Sequence, residues 1–158
     1  MSIAIELAAL VRRDLTRLLQ QLQAFPNEAA LWQTVPGVSN SAGNLVLHLD
    51  GNLREYVGRQ LGGLPYQRQR NLEFSLKSVP IHDLVARIEE LQRVIPQVIS
   101  ALSPQQLEAK YPDTALGASA PTGQFLIHLY GHLSWHLGQI DYLRRFVTEG
   151  AAIEPAKL

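Results

Sequence analysis

Apolar residues recur along the chain at three- and four-residue steps, and no stretch alternates with period two. Leu7, Leu10, Val11, Leu15, Leu18, Leu19 and Leu22 repeat in this way, with Arg12, Arg13 and Arg17 between them. The stripe predicts one amphipathic helix that closes near Ala24-Phe25-Pro26, because a proline ring disfavours helical geometry in the residue before it. Pro36-Gly37-Val38-Ser39-Asn40-Ser41 reads as a loop ending in capping residues. A second helix is predicted from about Ala42 to Leu61, apolar at first and mixed at Arg54, Glu55 and Arg59. Gly62-Gly63-Leu64-Pro65 stops it. Residues 66–79 are polar and basic without a period, which predicts a long crossover loop. Pro80 suits the first turn of a third helix. Leu84, Ile88, Leu91, Ile95, Val98 and Leu102 then alternate steps of four and three, the strongest periodic signal in the chain. Ser103-Pro104 closes that helix, Gln105 to Lys110 reads as a short turn, and Asp113 to Ser119 as a small-residue loop. Pro121 opens a fourth long helix, roughly Thr122 to Phe146. The expected fold is all-α, a four-helix bundle with its long crossover between helices 2 and 3. It is expected to form a single domain over residues 1–150, with a short C-terminal tail at 151–158.

Composition narrows what such a bundle does. With 158 residues, 46% of them hydrophobic, the chain buries a core without crosslinks. It has no cysteine, so disulfides, thiolate metal sites and cysteine nucleophiles are excluded, and any sulfur chemistry must use a thiol brought by a ligand. Fourteen basic and 14 acidic side chains cancel, which argues against a nucleic-acid binder working through a general basic field. Met1 to Leu19 carries Glu6, Arg12, Arg13, Asp14 and Arg17, unlike a secretory signal, so a cytoplasmic location is expected. No Asp, Glu, Lys or Arg lies between Glu28 and Asp50, or between Asp113 and Asp141. Prolines, glycines, histidines and polar residues interrupt both runs, so neither reads as a membrane span.

Four of the five histidines fall in these two uncharged runs. His128, His132 and His136 form an i, i+4, i+8 series, and His48 sits midway along the second helix. A four-residue helical step turns about 40° and climbs about 6 Å, so His132 and His136 can aim at one point between helices. A step of eight climbs about 12 Å, too far for His128 and His136 to share an ion easily. Phe125, Leu129, His132, His136, Leu143 and Phe146 continue one rough face, which predicts core positions for the histidines. Buried imidazoles need partners, because an unsatisfied polar group costs a few kcal/mol. A backbone carbonyl and a divalent cation each supply one, and spacing alone does not choose between them.

The run His128-Leu-Tyr-Gly-His132-Leu-Ser-Trp-His136-Leu-Gly-Gln-Ile140, followed by Tyr142-Leu-Arg-Arg, resembles the last helix of the DinB-like (YfiT-like) superfamily. Leu31-Trp32, and the stretch from Asn40-Ser41-Ala42-Gly43-Asn44 through His48 to Gly51-Asn52-Leu53-Arg54, resemble its second helix in the same order and spacing. The resemblance implies a bundle, commonly dimeric, with a divalent metal held by three histidines, here His48, His132 and His136. It places His128 outside the triad. It implies a metal-dependent enzyme, a thiol S-transferase or thiol-dependent isomerase, with a hydrolase as an alternative. Zinc or nickel is the expected metal, a low-molecular-weight thiol and a small-molecule electrophile the expected ligands, and a homodimer the expected assembly. No nucleic-acid or membrane partner is expected. A metal-stabilised, stress-associated binding module without turnover is the rival reading. Gln139, Asn44 and Trp135 are candidates for orientation or pocket lining, with plain packing and a buried aromatic as the competing roles. Asp50 is rotated about 200° from His48 and is set aside as a supporting base. Arg68, Arg70 and Lys77 read as a thin, solvated basic cluster.

Overall fold

The computed structural model of the protein describes residues 2–113 and 119–154. Most of the predicted loop Asp113 to Ser119, and the end of the predicted tail, lie outside those residues. The order is α1 (Ile3–Gln23), α2 (Glu28–Trp32), α3 (Ala42–Leu53), α4 (Arg70–Ser75), α5 (Ile81–Ser100), α6 (Pro104–Glu108) and α7 (Thr122–Thr148). Arg54–Arg59 prolong α3 in wider π-type turns. The fold is all-helical; a single isolated bridge, Lys110 to Pro121, is the one β-type pairing among the described residues. The long segments neighbour one another in a ring, α1 beside α5 and α7, and α3 beside the same two.

Each long helix forms for a reason visible in its residues. The Ser2 side chain caps α1, and Leu7, Val11, Leu15, Leu18 and Leu22 bury one face. Helix α5 buries Leu84, Ile88, Leu91, Ile95 and Ile99 against α1. Its periodic pattern runs through Pro96, and so does the helix. Full burial of each such aliphatic side chain is worth about 1.5–3 kcal/mol, so these stripes hold the ring together. All twelve residues of α3 are buried, because α2, α4, α5 and α7 all pack on it. An element covered on every side has no solvated face to charge, and the one carboxylate of α3, Asp50, is paired with Arg54.

The structure differs from the sequence reading in the short elements. The predicted crossover loop contains α4, whose Glu73 is buried in an otherwise exposed or half-buried stretch. Helix α2, capped by the Asn27 side chain, is likewise additional; it buries Leu31 and lays the Trp32 ring over Gly43, where any side chain would collide with it. The predicted short turn is α6, and it begins at Pro104 with a reciprocal capping box between Ser103 and Gln106. No described helix is long and apolar enough to cross a membrane.

Candidate metal centre

Helices α3 and α7 pack side by side and bring three imidazoles together. His48 comes from the middle of α3, and His132 and His136 from successive turns of α7. His132 Nε2 lies 3.1 Å from His48 Nε2 and 3.1 Å from His136 Nε2. One ligand atom from each ring falls within 4.8 Å of the others. Three nitrogens bound at 2.0–2.1 Å to a tetrahedral ion stand about 3.3 Å apart, close to the two separations found here.

The far sides of two rings are fixed. His48 Nδ1 donates to Glu73 Oε2 at 2.8 Å, since a carboxylate only accepts. Arg68 holds the same carboxylate, with Nε 2.7 Å from Oε1 and Nη2 2.9 Å from Oε2, and its Nη2 stands 3.4 Å from His48 Nδ1. Burial works to raise the Glu73 pKa, but the hydrogen bonds from His48 and Arg68 outweigh it and keep the carboxyl below its usual value. His136 Nδ1 donates to Gln139 Oε1 at 2.7 Å. Both rings therefore present a bare Nε2 lone pair to His132. A proton on His132 Nε2 is shared poorly between two acceptors, whereas a cation satisfies all three. His132 Nδ1 is buried without a hydrogen-bond partner among the described residues, as is Asn52 Oδ1, one turn along α3 from His48. Burial, followed by the neighbouring His136 and His48 rings, pushes the His132 pKa down to about 4. Burial also lowers His136 against the opposing hydrogen bond with Gln139. Neutral imidazoles are the metal-binding form, so this donor set fits a borderline divalent ion.

The other singled-out residues separate. His128 is exposed on α7, with its ring 6.2 Å from that of Phe125, and is not part of the triad group. The core face predicted for α7 stops short of Phe146, which is 72% exposed, and Trp135 is 70% exposed rather than a buried aromatic. Gln139 reaches His136, as an orienting residue would. Asn44 instead ties α4 to α3, with Nδ2 donating to the Glu73 and Leu76 carbonyls at 3.0 and 2.9 Å and Oδ1 accepting from Lys77 Nζ at 2.6 Å. Asp50 pairs with Arg54 at 2.7 Å, away from His48. The predicted solvated basic cluster breaks up. Arg68 is half-buried between Glu73 and the Tyr56 ring, 5.4 Å from its centroid, while Arg70 lies over the Phe74 ring. Sequence reasoning missed Glu73; its one signal is that no other carboxylate occurs from residue 56 to residue 82. Beside the centre, a groove of about 540 Å³ runs between residues 37–40 and α7, lined by Val38, Leu45, Gln139, Tyr142, Leu143 and Phe146.

An all-helical fold with three converging imidazoles defines a class of bundle able to hold a metal ion between two of its helices. The model of the DinB superfamily matches residues 9–140, and the chain belongs to that superfamily. The fold is similar to the crystal structure of a DinB-like protein from Bacillus cereus ATCC 10987, with a TM-score of 0.66. The likeness covers 86% of this chain and 87% of that one at 16% identity. No curated protein matches the chain.

Proposed function

We propose that this protein is a metal-dependent enzyme that uses a low-molecular-weight thiol on a small electrophile, as an S-transferase or thiol-dependent isomerase. The observation that carries the reading is the convergence of His48, His132 and His136 nitrogens within one ion's reach. These residues would hold zinc or nickel, since imidazole suits both. Three protein donors leave a tetrahedral ion one open position, the mark of reactive rather than structural sites. When bound, such an ion lowers the pKa of a thiol or water and so supplies a nucleophile near neutral pH. Glu73 fixes the His48 tautomer, Gln139 orients His136, and burial keeps His132 neutral. The groove bordered by Gln139 offers an apolar wall, one helical turn from His136, for the organic part of a ligand. The absence of cysteine is consistent with a thiol supplied from solution.

The test is metal analysis of protein purified without a histidine tag, followed by thiols screened against electrophiles. Metal at one equivalent per chain and thiol-dependent turnover are expected. Turnover without thiol would instead indicate a hydrolase.

The homodimer has its own support. Ile127, Trp135, Tyr142 and Phe146 are 54%, 70%, 71% and 72% exposed and share one side of α7. Large exposed apolar stripes mark association surfaces. Trp135→Ser is expected to shift the protein from dimer to monomer in light scattering; an unchanged mass would remove this face from the assembly. The same stripe favours the rival reading of a metal-stabilised binding module, which a loaded protein inert to every thiol and electrophile tried would support.

A further inference from the structure

We propose that Gly51 belongs to the metal centre: its missing side chain is the notch that seats Glu73 against His48, and this seating sets how tightly the site holds a divalent ion. The inference rests on the proposed metal function and extends it to a residue that touches no ion.

Gly51 lies inside α3, where glycine is among the poorest helix formers. Its backbone does not call for glycine, because among the described residues the positive-φ glycines are Gly37 and Gly63. The reason is steric. A Cβ at position 51 would strike Glu73 Oε1, lie 2.9 Å from Glu73 Cδ and stand 3.4 Å from the Tyr66 hydroxyl. The carboxylate has little room to yield. Arg68 grips both of its oxygens, His48 Nδ1 holds Oε2 as well, and Asn44 ties the Glu73 carbonyl to α3. A methyl group at 51 must therefore push the carboxylate off His48 or lift α4. Either change leaves the His48 Nδ1 proton without its acceptor, and the ring loses the partner that orients it and raises its donor strength. Loss of such outer partners typically weakens metal binding about 10–100-fold.

Zinc affinity, measured by competition with a chromophoric chelator, and the visible spectrum of the cobalt(II)-loaded protein decide the matter. Gly51→Ala is expected to weaken zinc binding about 10–100-fold and to perturb the cobalt spectrum. Glu73→Ala is expected to do the same. The double variant is expected to bind no more weakly than Glu73→Ala, because removing the carboxylate leaves the new methyl nothing to strike. Gly131→Ala, with open space around its Cβ, is expected to match the wild type. Wild-type affinity in Gly51→Ala, or losses that multiply in the double variant, would overturn the inference alone. A wild-type protein that binds neither zinc nor nickel would overturn the proposed function with it. If Gly51→Ala fails to fold, the double variant still decides, since a further loss relative to Glu73→Ala refutes the notch.

Discussion

His132→Ala is expected to abolish stoichiometric metal binding and the rise in melting temperature that added zinc or nickel produces. His132 Nε2 is the nitrogen in contact with both others, 3.1 Å from each, so its removal leaves two rings facing each other across an empty gap. A ligand present at 1,000 times its dissociation constant stabilises the native state by about 4 kcal/mol, and that linked stabilisation disappears with the site. His128→Ala is the matched control. His128 is exposed and outside the converging group, so its loss is expected to leave metal content and the metal-dependent shift intact. Unchanged metal content in His132→Ala would refute the ligand assignment. Loss in His128→Ala alone would move the α7 pair to His128 and His132.

Acid is expected to destabilise the metal-free protein well above the carboxylate range. The fold pushes His132 from 6.5 down to about 4, chiefly by burial. Between those values the unfolded chain takes up a proton that the folded one refuses, so the unfolded state is favoured progressively as pH falls. The stability at stake is fully present above pH 6.5 and lost by about pH 4. His136 is depressed for the same main reason and acts in the same direction. Glu73, held below 4.5 by His48 and Arg68, adds a further loss at more acid pH as its carboxylate is protonated. Urea midpoints in chelator at pH 7, 6, 5 and 4 test this. His132→Phe is expected to flatten the slope above pH 4; parallel slopes for the two proteins would disprove the account.

The long helices were legible because each one's surroundings are written along its length. Helices α1 and α5 bury one stripe, so their leucines and isoleucines repeat with the helical period, and α3 is covered all round, so it is nearly free of charge, with Asp50 its one carboxylate. Helices α2, α4 and α6 have five or six residues, less than two turns, and cannot display a period. Glu73 was hidden for that reason, although it sits behind a potential ligand. Helix α7 carries two apolar faces, one inside and one exposed through Trp135, Tyr142 and Phe146, and sequence periodicity does not say which is which. The His132 and His136 pairing followed from their four-residue step. The meeting of His48 with them depends on α3 lying against α7, a long-range fact that the family resemblance supplied and local spacing could not.

His48 and His132 stand 84 positions apart along the chain. An ion gripping both would close a loop of that size, and chain statistics for a crosslink of such span give between about 4 and 5 kcal/mol against the denatured ensemble. A polypeptide without a single cysteine would thus possess a removable staple, fastened by loading and undone by chelation. Its resistance to heat and proteolysis would then follow the supply of free metal around it.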